Sequence, residues 1–350
     1  MSKQSIEWLN TNVLVGMTDA RGNAWHYRQS AQGVESNHYA GAIPIEDVRR
    51  RLFSWDAVPA RVAVEVAATL DNATHLSEDG VPLRWAVQED RKAITASDDG
   101  TVFEMFKSGY TSHQYSEWLL SNVGTILDGD LGISSAGLLS NRGVAWVEVG
   151  VPETIKGPAG VDFRPNLVAC TSHDGTLSTT YKRTVTATVC DNTLAAALGE
   201  KGQTVKVKHS KYSGLRITDA RVALAMVTET ADAFADQVRR LTDWKVGPLQ
   251  LKTVINALVP VPDETGRAKT IAEKKQGEIL ALLANDLRVQ PWAGTAFGVV
   301  QAFNTWTHHI KGTRGNDGGG RAERNMLSAL DGSTDKSDAM VLSVLASTNV

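Results

Sequence analysis

Residues 163–199 read FRPNLVACTSHDGTLSTTYKRTVTATVCDNTLAAALG. The run predicts a strand, a tight turn, a return strand and a capped helix. Two loop lengths compete at its centre. A two-residue Asp174-Gly175 turn pairs Ser172 with Leu177 and mixes polar and apolar side chains on both faces. A three-residue loop with Gly175 left-handed pairs Ser172 with Thr176 instead. Phe163, Leu167, Ala169, Leu177, Tyr181 and Val185 then share one face. Arg164, Asn166, Ser178, Thr180, Lys182, Thr184 and Thr186 share the other, with Val168 and Cys170 among them. Register follows the buried face, so the three-residue loop is the expected one. Beyond the return strand, Asp191 or Asn192 caps a helix that Gly199 stops.

The hydroxyl-rich face is an ordinary wet sheet surface or a binding surface, and the next segment favours binding. Residues 201–216, KGQTVKVKHSKYSGLR, carry Lys201, Lys206, Lys208, Lys211 and Arg216 with no acidic residue. Val205 and Val207 alternate with Lys206 and Lys208, as in a half-buried strand. Lysines on one strand face beside Arg164, Lys182 and Arg183 could follow a phosphate backbone, with His209 and Tyr212 interleaved and Tyr212 or Tyr181 available for base stacking.

Working outward, the Ser-x-x-Gly turn recurs at 97–100 (SDDG), 140–143 (SNRG) and 172–175 (SHDG), each between strand-like runs. Serine can bond back to the turn and glycine can take a left-handed backbone, so three β-hairpins are expected. Helical spacing appears at 43–53, 113–127 and 217–244, and again after Pro262. The fold class is α+β: an antiparallel hairpin sheet crossed by long helices. Its expected parts are an N-terminal arm with a short helix (1–60), an α+β core (61–245) and a helical C-terminal region (246–350). Scattered aromatics, from Trp8 to Trp55, would anchor the arm.

The 36 Lys and Arg against 39 Asp and Glu leave a net charge of −3, so nucleic acid could be held only by local clustering. Two cysteines, Cys170 and Cys190, are too few for a disulfide framework and read as buried thiols in a reducing compartment. No run has the length of a signal peptide or a bilayer span, which places the protein in the cytoplasm of its host cell. A metal-dependent nuclease would draw on Asp98, Asp99, Glu104, His113, His173, Asp174 and His209. No ligand spacing supports that set, and Asp98, Asp99, His173 and Asp174 have sufficient roles in turns. Adjacent His308 and His309 point apart on a helix. The glycine-rich GNDGGG (315–320) lacks the lysine and hydroxyl of a phosphate loop, so no cofactor and no catalytic group is assigned.

The Ser172–Gly175 turn, the Val189–Leu194 junction and Lys208-His209-Ser210 resemble a phage and plasmid protein family of unknown function. The NTNVLVGMTDARGNAWHYR and GTAFGVVQAFNTWTHH stretches resemble its actinobacterial-virus members. Hairpins followed by a long helix are in turn similar to single-strand annealing recombinases such as the RecT, Redβ and Erf groups. That resemblance implies a ring or filament of identical subunits that anneals single-stranded DNA without ATP, with a phage exonuclease as partner. Two other classes compete: a structural or host-antagonising phage protein acting through protein contacts, and the nuclease.

Overall fold

The computed structural model describes residues 3–24, 27–124, 127, 131–187, 192–194, 204–207, 209, 232–312 and 320–348. Its strands are β1 (Val13–Val15), β2 (Ala57–Ala67), β3 (His75–Leu76), β4 (Pro82–Ala96), β5 (Val102–Lys107), β6 (Gly132–Leu139), β7 (Val144–Gly150), β8 (Phe163–Ser172), β9 (Thr179–Ala187), β10 (Asn192–Leu194) and β11 (Thr204–Val207). They form two antiparallel sheets. The central sheet has the order β1-β6-β7-β8-β9-β10, with β11 also on β9; the second has the order β2-β4-β3, with β5 also on β4. All three expected hairpins are present, as β4–β5, β6–β7 and β8–β9.

The central sheet is buried on both sides. On one face Ala136, Leu138, Ala145, Val147, Ala169 and Tyr181 pack against Val48, Leu52, Leu119 and Leu120. On the other, Val144, Trp146, Val168 and Cys170 pack against Leu9 of the helix Lys3–Asn12 and Leu330 of the helix Gly320–Asp331. Each such aliphatic side chain contributes about 1.5–3 kcal/mol on full burial. Trp146 lies so close over Gly137 that an added Cβ would sit 2.1 Å from its ring. Only glycine fits there. At the far end, Phe163 and Val185 join Phe234, Val238, Phe297 and Leu345 of the C-terminal helices.

The hairpin register differs from the expected one. Cys170 pairs with Thr180, where the three-residue loop would pair it with Ser178. The cause is local: Leu177 N–H donates to Ser172 Oγ at 2.9 Å, and that hydroxyl donates to Leu177 O at 3.0 Å. Asp174 Oδ1 accepts from the Thr176 amide, and Gly175 is left-handed at φ 76°. These bonds hold residues 173–178 out of the ladder. A shift of two residues on one strand preserves the pleat, so the expected faces of β8 and β9 stand. Leu177, outside the ladder, goes instead to the Trp146 side.

Other expectations change. Asn192–Leu194 is a strand on β9, not a helix start, because the free edge of β9 offers its ladder bonds. Residues 195–203 lie outside the described residues, as do Cys190, Asp191 and 217–231; residues 232–243 are helical. The segment 1–60 is more than an arm, since β1 forms an edge of the central sheet and Phe53 and Trp55 enter its core. The expected helix at 113–127 is a π-helical turn, Ser116–Ser121, followed by Asn122–Gly124. Tyr181 OH and Asn122 Nδ2 both donate to the Trp118 carbonyl, and side-chain donors inserted into the helix ladder are a known cause of such bulges. In the 140–143 turn the left-handed residues are Ser140, Asn141 and Arg142 rather than Gly143. The helices Pro248–Leu258, Arg267–Asn285, Ala296–Thr305 and Ser333–Ser347 follow the periodicity of their sequences.

Candidate functional site

The face that carries Lys182 is not a wet surface. Lys182 is 6% exposed, its Nζ donates to the Ala329 carbonyl, and Asp335 Oδ2 lies 3.8 Å away. The helix Gly320–Asp331 covers this face, so the lysine closes the sheet against that helix. Arg183, paired with Leu167, is buried as well, on the other face. Arg164 is half-buried at the other end of β8, with Nε donating to Thr154 Oγ1 at 2.9 Å. Among the expected cations described, Lys206 alone is exposed. It lies on β11, paired with Thr180, at the outer side of β9. Lys201, Lys208, Lys211, Tyr212 and Arg216 lie outside the described residues. Lys182 and Lys206 both bear on Cys170, whose thiol burial pushes up to about 12 despite them; it is an inert core thiol.

The three hairpin turns meet at one end of the molecule. Arg142 bridges Asp98 at 2.8 Å and Asp99 at 2.7 Å, and its guanidinium stacks over Trp55 at 4.7 Å. His173 N–H donates to the Gly143 carbonyl at 2.7 Å. Beneath this junction His113, His173 and His209 come together, which no spacing in the sequence shows. His209 Nδ1 lies 2.6 Å from Tyr110 Oη, and its Nε2 lies 3.0 Å from Thr171 Oγ1. Thr171 and Thr179 hydroxyls are 2.7 Å apart, and Thr179 Oγ1 is 2.6 Å from His113 Nδ1. His113 stacks on Trp118, and His173 on Tyr115.

These imidazoles are neutral. Burial, then the nearby imidazoles, lowers His113 and His173 to about 3; burial lowers His209 to about 4. Burial raises Tyr110 in the same surroundings. With both ring nitrogens of His209 engaged, its part is to anchor the chain after β11 onto the β8–β9 hairpin. Among the described residues no group of three or more His, Cys, Asp or Glu could hold a metal ion. Of the expected nuclease set, Asp98 and Asp99 are clamped by Arg142, Glu104 and Asp174 accept from the backbone amides of Met105 and Thr176, and His113, His173 and His209 share a layer in which His113 and His209 are hydrogen-bonded.

A cavity of about 120 Å³ lies between the helices Ala296–Thr305 and Ser333–Ser347, lined by Asn304, His308, Thr334 and Asp338. Burial raises Asp338 to about 7, against the Asn304 amide that bonds it. His308 is buried while His309 is not, as adjacent helical positions require.

The features together define an α+β protein of antiparallel hairpin sheets with a helical C-terminal region. Residues 102–330 match a family described as a domain of unknown function (DUF932), and the chain belongs to that family. No curated protein and no solved structure matches it. Among the described residues no helix is long and apolar enough to cross a membrane.

Proposed function

We propose that the protein binds and anneals single-stranded DNA in phage homologous recombination, without ATP hydrolysis, and that its hairpin sheet and helices form an annealing-type core. The observation that supports this reading is the placement of Lys206. It is the exposed cation of an edge strand, inside a stretch of five cations at 201–216 that contains no carboxylate. Pairing of β11 with β9 puts Lys206 at the outer side of β9. Annealing asks only for a positive track that neutralises phosphates and leaves base edges free, so no catalytic group is needed. Identical subunits in a ring or filament would join short tracks into a long one. Lys182 and Arg183, being buried, are not part of this track.

Fluorescence anisotropy of a labelled single-stranded oligonucleotide over a salt series tests the reading. Binding is expected to weaken with salt, and the double variant Lys206→Glu with Lys208→Glu is expected to abolish it. Milder variants that leave one phosphate without its cation should flatten the logarithmic salt slope by about 0.7. No binding by the unaltered protein at low salt overturns the proposal.

A second reading, action through protein contacts, is favoured by the exposed apolar side chains Val64, Trp85, Val87 and Met105 on the second sheet.

A further inference from the structure

β2 is 11 residues long, and among the described residues it pairs only with β4. The hydrogen bonds show which way each of its peptide groups faces. Ala68 N–H donates to Pro82 O, towards β4, whereas Ala57 exchanges both backbone bonds with the Gln114 side chain. The pairing with β4 shifts register between Arg61 and Ala63, so the alternation is read from each end: counted from Ala57 it turns Pro59 and Arg61 away from β4, and counted from Ala68 it turns Ala67, Glu65 and Ala63 away. An open edge of this length is a template for another strand. Its two faces are also open: Val58 and Val64 of β2, and Trp85 and Val87 of β4, are all exposed. Between the ends of β4, where β3 and β5 join it, the sheet is two strands wide among the described residues, and such a ribbon with apolar side chains on both faces is marginal in water by itself.

The sequence along this edge identifies what covers it. Residues 61–65 read Arg-Val-Ala-Val-Glu. Laid antiparallel on a second copy of itself about Ala63, the segment is self-complementary at every position. Arg61 meets Glu65 of the partner subunit, Val62 meets the partner's Val64, and Ala63 meets the partner's Ala63; within its own chain Glu65 Oε1 lies 2.5 Å from His75 Nε2, so the incoming guanidinium must share or replace that contact. Both charged positions belong to the outward-bonding set, so the register that pairs the charges also aligns the hydrogen bonds. Centring the pairing on Arg61 or on Glu65 would place like charges directly opposite, which destabilises a strand pair. Pro59 lacks an N–H and weakens the ladder at one end of the strand, so the paired stretch is short.

We propose that two copies of the chain join through β2, edge to edge and antiparallel about Ala63, as a two-fold dimer held by reciprocal Arg61–Glu65 pairs. A two-fold interface uses the same patch on both subunits and closes on itself. It stands apart from the nucleic-acid reading, because it is measured without any oligonucleotide and survives if DNA binding fails.

Sedimentation of the full chain over a concentration series tests it. The unaltered protein is expected to reach twice the chain mass. R61E and E65R should each weaken the dimer about tenfold or more, since every single reversal replaces two attractions by two repulsions. The double variant R61E/E65R should restore it, because the charges are exchanged and the pairs re-form. A63P provides a backbone test: it removes an outward N–H, leaves the bonds to β4 intact, and should give a monomer with an unchanged circular dichroism spectrum. A monomeric unaltered protein overturns the proposal. So does a dimer, or any larger particle, that A63P leaves unaltered, or a failure of the double variant to recover what folded single variants lose. If a charge variant does not fold, A63P decides alone.

Discussion

The two sheets share a strand chemistry and have opposite fates. In β9 the consecutive cations Lys182 and Arg183 point to opposite faces, yet both are buried, paired with Val168 and Leu167 of β8. In β2 and β4 valines and a tryptophan alternate with charges, yet Val64, Trp85 and Val87 face solvent. Residue character does not explain the difference. What differs is cover. The central sheet lies between two helical layers, whereas among the described residues none covers Val64, Trp85 and Val87 of β2 and β4. A strand pattern therefore says which residues share a face, and neighbouring elements decide whether the face is wet.

The largest effect expected of this contrast is at the tryptophans. Trp146→Ala should cost about 3–5 kcal/mol in urea unfolding, because its cavity lies in a close-packed core. Trp85→Ala should stay within about 0.5 kcal/mol in the monomeric state, as at any exposed site. Equal losses would break the comparison. Next in size is Lys182→Ala, which leaves the Ala329 carbonyl without its charged donor. It should cost about 1.5–3 kcal/mol and expose the helix Gly320–Asp331 to amide hydrogen exchange. Unchanged protection of that helix would show that the lysine does not close the sheet.

The third expectation is a pH dependence at the turn junction. His173 titrates near 3 in the folded chain because it is buried, and near 6.5 when unfolded. Its folded value is the lower one, so the unfolded chain binds the extra proton between those limits. Its stabilising effect is thus complete above about 6.5 and is lost as pH falls towards 3. Asp338 acts in the opposite sense: burial raises it to about 7, so it favours the fold below its unfolded value and loses that effect as pH rises through 7. His173→Gln should flatten the fall of the thermal midpoint between pH 6.5 and 4 by one proton's share. A profile identical to that of the unaltered protein would show that His173 is not buried as described.

Much of the architecture was legible along the chain. The three Ser-x-x-Gly turns, the pleat of β8 and β9 and most C-terminal helices rest on local chemistry, in which a few residues determine their own backbone. The candidate site was legible only in part. Lys206 stands on its strand as alternation required, and the turn carboxylates Asp98 and Asp99 do serve a turn, through Arg142 of another hairpin. Nothing near His113 in sequence announces His173 or His209. Their meeting depends on where the β8–β9 hairpin and β11 lie, and so on pairing between distant segments. β1 escaped notice because three residues are too few to show a period.

By itself the sequence determined the α+β class, the three hairpins, and the division of β8 and β9 into faces. These are properties of short segments, set by backbone propensity and side-chain alternation. Only the tertiary structure decided that the hydroxyl and lysine face is roofed by the helix Gly320–Asp331, that three histidines share one dry layer, and that β2 pairs, among the described residues, with β4 alone. Each of these depends on which surfaces exclude water from which others, and solvent exclusion is a property of the packed whole.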